Sequence, residues 1–282
     1  MNFTFGIITC AKTNNFLNEI VASIRSQNIP LCGGCYEIVV VGTMPPATSN
    51  STQLFEGEIV NVPFDETSWI TRKKNLVAQC AKYDNIVLMH DYVKLEEGWY
   101  EGFLKFGNHF DVCMNKVLNL TGERVRDYTL NPHFIHPSFG TKNILIPYSC
   151  NKAATECNKA AMECKITPEI SSIMYVSGGY YVVKKSLALQ VPLREKILGW
   201  NQGEDVFFSQ DIADKGVVID FNENSSVRCL KNKFETAPPT YEMSIEQFVF
   251  LKKWASSNAK QVFEKQKALQ KEWAEREFGI CF

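Results

Sequence analysis

The stretch that decides the fold reads "DNIVLMHDYV" at residues 84–93. Four apolar residues lead directly into His90, Asp91 and Tyr92. A short continuous apolar run predicts a buried strand, and the polar residues that follow mark its carboxyl end. Because α/β sheets bind ligands at the carboxyl ends of their strands, this strand end is the first candidate for a functional site.

The chain upstream of this strand alternates between strand and helix patterns. Apolar runs predict strands at 3–10, 36–42 and 58–64, and helical spacing predicts helices at 14–27 and 68–83. Continuous apolar runs in this order predict an α/β layered sheet that is mostly parallel. The strand ends at residues 9–10, 42–43 and 90–91 are then expected to lie side by side on one rim.

The second half of the chain is less regular. Further strands are predicted at 110–120, 174–185 and 216–222. Residues 243–278 contain neither glycine nor proline and have a helical pattern throughout. We expect this last helix to dock on the rest of the chain; attachment to a membrane surface is the alternative, because lysines and large apolar side chains alternate along it.

Composition limits the classes of function. The chain has 282 residues, 45% apolar and 22% charged, which is normal for a soluble globular protein. Thirty basic and 31 acidic residues give no basic excess, so a broad nucleic-acid-binding face is not expected. The first residues do not resemble a signal peptide, and no run approaches the ~20 apolar residues of a membrane helix. We therefore expect a cytoplasmic protein, with peripheral membrane contact left open.

Ten cysteines in a chain without a secretion signal are expected to be free thiols. Cys32 and Cys35 form a C-x-x-C, for which a loop with two thiols is favoured over a redox or metal pair. A heptad repeat, CNKAATE at 150–156 and CNKAAME at 157–163, predicts an Ala-rich surface helix. Its alternative role is a contact helix for a partner or a second subunit.

Three stretches belong together by their order and spacing. They are "ITRKKNL" at 70–76, "LMHDYV" at 88–93 and "GWNQGEDVFFSQDIADKG" at 199–216. Each is ordinary alone, since a Lys pair is usually a solvated face and acidic residues suit a helix N-terminus. Together they resemble the GT-A fold glycosyltransferases, most closely the inverting family-2-like group, over roughly residues 3–230.

This resemblance implies a domain organisation and a reaction. A Rossmann-like GT-A domain would span 1–242, with a nucleotide-sugar-binding half at 1–93, an acceptor half at 94–242 and a helical extension at 243–282. The reaction would be inverting transfer of a sugar from a nucleotide-diphosphate sugar to a hydroxyl of a glycan, a lipid-linked saccharide or a protein. The alternatives are a non-catalytic nucleotide-sugar-binding relic and a nucleotidyltransferase, although "CAKTNN" at 10–15 is not a Gly-rich phosphate loop.

The resemblance also implies site residues. Asp205 would be the general base that takes the acceptor proton, with Glu204 and Trp200 binding the acceptor, the latter by stacking on a sugar ring. Asp91, with His90, would hold Mn²⁺ or Mg²⁺ against the two phosphates. The donor-binding residues would be Thr9, Lys73, Lys74, Asp91, Gly178 and Gly179.

Two departures from the family pattern bear on the metal. Tyr92 stands where the D-x-D motif has its second carboxylate, and none of the four histidines follows Asp205. One hypothesis is a metal held loosely by Asp91 and completed by phosphate and water. The alternative is a site without metal in which Lys73, Lys74 or Arg72 replaces the ion.

Overall fold

A central eight-stranded sheet, flanked by helices, organises the computed structural model. The structure describes residues 1–9, 16–30, 36–43, 59–64, 68–132, 143–147, 166–197, 199, 202–231 and 240–282. The strands are β1 (Phe3–Ile8), β2 (Tyr36–Val41), β3 (Ile59–Val62), β4 (Asn85–His90), β5 (Val93–Leu95), β6 (Val112–Leu118), β7 (Tyr128–Leu130), β8 (Asn143–Leu145), β9 (Met174–Val176), β10 (Tyr180–Lys184), β11 (Ile219–Cys229) and β12 (Thr240–Glu242). The helices are α1 (Leu17–Arg25), α2 (Ile70–Cys80), α3 (Trp99–Phe106), α4 (Pro168–Ser172), α5 (Lys185–Gln190), α6 (Glu204–Ala213) and α7 (Ile245–Phe278).

The central sheet has the strand order β3-β2-β1-β4-β10-β6-β11-β5. Strands β1 to β4 pair in parallel, as do β6 and β11, whereas β10 is antiparallel to both of its neighbours. Every residue of β1 and β4 is buried, as expected for strands covered on both faces. The predicted α/β, mostly parallel architecture is confirmed.

The strand ends meet on one rim, as the sequence predicted. Ile8 pairs with both Val41 and His90, so the ends of β1, β2 and β4 are level. The backbone N–H of Asp91 donates to the carbonyl of Ile8 at 3.2 Å. Just beyond β1, the Thr9 hydroxyl donates to the backbone carbonyl of residue 43 at 2.9 Å.

Two predicted strands differ from the structure. The run at 174–185 forms β9 and β10, separated by a turn at 177–179 that is closed by the Tyr180 N–H donating to the Ser177 carbonyl at 3.1 Å. The two glycines of this turn interrupt the strand pairing, and a pattern of apolar residues alone does not reveal such an interruption. The strand predicted at 216–222 continues to Cys229, through a register shift between Asn222 and Ser226.

A second sheet has the strand order β12-β8-β7-β9. Arg124 anchors it: its guanidinium pairs with the buried Asp127 at 2.7 Å, donates to the Ile146 carbonyl at 2.5 Å and lies over the ring of Phe221 at 5.4 Å. Because Phe221 belongs to β11, this one side chain joins the two sheets.

The predicted C-terminal helix is confirmed as α7, which begins with a capping box between Ser244 and Gln247. Its apolar face docks on the body of the fold, burying residues from Phe248 to Ala274. Among the described helices, none is long and apolar enough to cross a membrane. The division into domains stays a prediction, as do attachment to a membrane surface and self-association.

Three features of the sequence lie outside the described residues. They are Trp200, the Cys32–Cys35 pair and the repeat at 150–164. Their predicted roles stay predictions.

Candidate functional site

The polar residues of α2 hold the segment that leads into α6. Thr71 donates to the backbone carbonyl of residue 197 at 2.6 Å, and Asn75 donates to that of residue 193 at 2.9 Å. Arg72 pairs with Glu195 at 2.8 Å. The polar "TRKKN" sequence therefore serves this long-range contact, in which Arg72 is engaged by Glu195.

The two lysines of α2 are buried and bind protein atoms. The Lys73 ammonium donates to the Thr9 carbonyl at 2.8 Å, at the end of β1. The Lys74 ammonium donates to the Gly178 carbonyl at 2.6 Å and pairs with Glu204 at 3.3 Å. Lys73 is 2% exposed and Lys74 1%, so each costs desolvation energy that these contacts offset. Their charges lie under the rim, where they support the residues predicted to bind the donor.

Gly178 brings the two acids of α6 to the rim. Its N–H donates to Asp205 Oδ2 at 2.9 Å. A Cβ added at Gly178 would collide with the Glu204 carboxylate and lie 3.0 Å from Asp205 Oδ2. Only a residue without a side chain permits this approach, because the backbone itself contacts both carboxylates.

The electrostatics of Asp205 suit a base. The pKa of Asp205 is raised from 3.8 to about 6, chiefly by burial and next by the charge of Glu204. Lys74 and the N–H groups of Gly178 and Val206 act in the opposite direction, since they favour the ionised carboxylate. Asp205 nevertheless stays partly exposed to solvent.

The end of β4 lies next to this pair of acids. The His90 N–H donates to the Gly179 carbonyl at 3.0 Å, and a Cβ added at Gly179 would lie 3.1 Å from the Tyr92 hydroxyl. Burial raises the pKa of Tyr92 well above its ordinary value, with smaller contributions from Cys229 and from carboxylates that include Asp91. Tyr92 is therefore a neutral phenol in the cluster.

These residues do not make a complete metal site. In the part of the chain that the structure describes, no group of three or more His, Cys, Asp or Glu side chains is placed to hold an ion. Asp91 and His90 offer one carboxylate and one imidazole, and Tyr92 adds a neutral hydroxyl. Divalent ions such as Mg²⁺ prefer several oxygen ligands, so the described residues alone do not complete a metal site here.

Sequence reasoning missed the contribution of α7. Gly203, which precedes α6 with φ +74°, lies against this helix: a Cβ added there would be 2.6 Å from Gln270 Nε2 and 3.4 Å from the Trp273 ring. The signal in the sequence is a stripe of Gln266, Gln270 and Trp273 in a helix otherwise rich in Lys and Glu. The C-terminal helix is therefore part of the wall beside the two acids.

Comparison with solved structures identifies the fold. No protein-family model and no curated protein matches this sequence. The crystal structure of GalNAc-T7 with UDP, GalNAc and Mn²⁺ superposes with a TM-score of 0.57 at 12% identity, over 84% of this chain and 45% of that chain. The crystal structure of S. aureus TarS with UDP-GlcNAc gives a TM-score of 0.51 at 12% identity, over 100% of this chain and 74% of that one.

The chain has a GT-A fold. At this identity the likeness concerns the fold alone, and the chain spans less than half of the GalNAc-T7 chain it matches. Within the GT-A fold, the structure brings together the residues that the sequence analysis singled out. Those that meet at or under the rim are Thr9, Lys73, Lys74, His90, Asp91, Gly178, Gly179, Glu204 and Asp205.

Proposed function

We propose that the protein transfers a sugar from a nucleotide-diphosphate sugar to an acceptor hydroxyl with inversion, and that Asp205 is the general base. The observation that carries this proposal is the position of Asp205. It stands at the start of α6, held by the N–H groups of Gly178 and Val206 at 2.9 and 3.0 Å, beside the carboxyl ends of the strands. The GT-A neighbours, solved with UDP or UDP-GlcNAc, support a nucleotide-sugar donor.

The proposed step is a single displacement. The acceptor oxygen attacks the anomeric carbon while the bond from that carbon to the diphosphate oxygen breaks, and the electron pair leaves with the diphosphate. Asp205 takes the proton of the attacking hydroxyl. Its pKa of about 6 leaves it ionised near neutral pH and still basic enough to accept this proton, which is the balance that general-base catalysis needs.

The remaining residues position this base and the donor. Lys74 and Glu204 form a buried ion pair that fixes the first turn of α6, with Glu204 proposed to contact the acceptor as well. Lys73 fixes the end of β1 through Thr9. The donor phosphates are proposed to lie along the rim between Thr9, Asp91 and the two glycines at 178–179. Trp200, outside the described residues, keeps its proposed role of stacking on the acceptor sugar.

The proposal assigns no step to a metal. One neighbour is solved with Mn²⁺, but the described residues here supply Asp91 and His90 without a third ligand. A metal held by Asp91 and His90 together with the donor phosphates is testable. Binding of UDP that needs Mn²⁺ and is abolished by EDTA would establish it, and binding unchanged by EDTA would exclude it.

Asp205→Asn tests the proposed role of the base. We expect loss of transfer from UDP-sugars with retention of UDP binding, because the amide keeps the shape of the site and cannot take the proton. Asp211→Asn, in the same helix and paired with Arg194 at 2.5 Å, is the matched control and should keep transfer. Full activity of Asp205→Asn would remove Asp205 as the base. UDP binding without any transfer by the wild type would favour the non-catalytic relic.

A further inference from the structure

The segment that follows β11 brings a further lysine to the strand-end rim. β11 pairs with β5 in antiparallel register. The pairing extends one residue beyond both strands, because the Leu230 N–H donates to the Tyr92 carbonyl at 2.7 Å. Continuing this register by one more residue places Lys231 across from Asp91, and directly opposite residues of an antiparallel pair are neighbours. A cation therefore stands beside the carboxylate that the sequence analysis assigned to a metal.

The ammonium of Lys231 lies over the aromatic ring of Tyr92. The distance from Lys231 Nζ to the ring centroid is 5.5 Å, and the electron-rich face of the ring attracts the positive charge. The Tyr92 hydroxyl is next to the glycine turn of the rim, since a Cβ added at Gly179 would lie 3.1 Å from it. Tyr92 is buried and Lys231 is half-buried. The ring thus positions a partly exposed cation where a D-x-D motif has its second carboxylate.

The cations of α2 that were considered for the donor phosphates are engaged by protein atoms. Lys73 and Lys74 are 2% and 1% exposed and donate to backbone carbonyls. Arg72 pairs with Glu195. A diphosphate that leaves a sugar gains negative charge as the bond breaks, and a positive charge placed beside it lowers the barrier. Lys231 differs from the two buried lysines because it is partly exposed at the rim.

The same arrangement disfavours a divalent ion. Burial raises the pKa of Tyr92 well above its ordinary value, so this residue offers a neutral hydroxyl and no anionic ligand. The charge of Lys231 repels a second cation and offsets the charge of Asp91 that would attract one. Where an ion such as Mg²⁺ requires several oxygen ligands, the described residues supply one carboxylate with an ammonium across from it.

We infer that Lys231 takes the place of a metal ion: its ammonium binds the donor diphosphate and stabilises the negative charge that develops there as the bond to the sugar breaks. The inference rests on the proposed function and deepens it, because it assigns the cation for the leaving group and makes donor binding independent of a divalent ion. Lys231 only neutralises charge in this step. The electron pair leaves with the diphosphate, and the acceptor proton goes to Asp205.

Nucleotide binding in the presence of EDTA tests this inference without any need for turnover. The probes are UDP, GDP and TDP, titrated into the full chain by calorimetry, with uridine, guanosine and thymidine as counterparts that lack the diphosphate. Lys231→Met keeps the length of the side chain and removes its charge, whereas Lys231→Arg keeps the charge. Lys94→Met on β5 is the matched control, since Lys94 pairs with Glu19 at 2.7 Å.

We expect one nucleoside diphosphate to bind the wild type equally well in EDTA and in Mn²⁺. Lys231→Met should bind it at least about tenfold more weakly, because a charge-assisted hydrogen bond to phosphate is lost. Lys231→Arg and Lys94→Met should bind it as the wild type does. Binding of the corresponding nucleoside should be the same in Lys231→Met and the wild type, and thermal unfolding of each variant shows that it is folded.

Three outcomes overturn the inference and leave the proposed function in place. They are binding of the diphosphate only with Mn²⁺, equal binding in EDTA by the wild type and Lys231→Met, and a loss in Lys231→Met that is as large for the nucleoside as for the diphosphate. The last result would show that Lys231 supports the shape of the site rather than the phosphates. If the folded wild type binds none of the three diphosphates, with or without Mn²⁺, the proposed function is overturned together with the inference.

Discussion

Replacing Asp205 by Asn should stabilise the protein at alkaline pH and destabilise it in acid. The pKa of Asp205 rises from 3.8 to about 6 on folding, chiefly through burial. At roughly 1.4 kcal/mol per pH unit, the ionised carboxylate costs the folded state about 3 kcal/mol. Asn removes this charge and keeps one oxygen for the Gly178 N–H, but gives up the bond from Val206, worth about 1 kcal/mol. The net gain at pH 8 is therefore about 2 kcal/mol.

The sign of this effect depends on pH. Because Asp205 binds its proton more tightly in the folded chain than in the unfolded one, acidification below about pH 6 relieves the penalty in the wild type. Near pH 4 the folded carboxyl is almost fully protonated, whereas the unfolded carboxyl is only about 40% protonated. Most of the gain therefore disappears, and the lost Val206 bond leaves the variant about 0.5 kcal/mol less stable.

Urea unfolding of the wild type and Asp205→Asn at pH 8, 6 and 4 measures this difference. The exposed Asp111→Asn is the control and should change the free energy of unfolding little at any of these values. A difference for Asp205→Asn that does not vary with pH, or a variant that is less stable at pH 8, would refute the reasoning that desolvation penalises the ionised carboxylate.

Two further predictions concern the neighbours of the base. Lys74→Met should lower the free energy of unfolding by roughly 3–5 kcal/mol, because it leaves Glu204 buried without its cation. In urea unfolding, Lys74→Met/Glu204→Gln should recover part of this loss. A double variant as unstable as Lys74→Met would contradict this prediction. Gly178→Ala should reduce transfer at least about tenfold in a folded protein, since its Cβ displaces the Glu204 carboxylate. Gly199→Ala, whose Cβ meets no atom of the described residues closer than 3.8 Å, should remain active. Equal rates for the two variants would show that the close approach at Gly178 is not needed.

Local patterns predicted the parts of the fold that burial controls. The apolar runs around β1, β2 and β4 predicted buried strands, and their polar ends predicted the rim, because a continuous buried run leaves little choice of conformation. The turn at 177–179 was not predicted, since two glycines within an apolar run are compatible with a strand or with its interruption. The extension of β11 to Cys229 was missed because its residues after 222 are polar and pair with β6 through a shifted register.

The candidate site was predicted in its residue types more than in its contacts. The spacing of the motifs indicated Asp205 and Glu204, yet nothing local shows that Lys74 pairs with Glu204 across 130 residues of sequence. Arg72 could have served a phosphate as well as Glu195 by sequence alone. The glutamine stripe of α7 resembles any polar face until the fold shows that this face is buried.

Thermal unfolding with nucleotides tests the central claim, which is that the strand-end rim binds the nucleotide diphosphate of a sugar donor. The full chain would be melted with UDP, GDP, TDP and CMP, each with Mn²⁺ or with EDTA. We predict that one nucleoside diphosphate, with UDP tested first, raises the stability by about 2.7 kcal/mol at a hundredfold excess over its dissociation constant, and that CMP does not. No stabilisation by any nucleoside diphosphate in a folded protein, with or without Mn²⁺, would contradict the account.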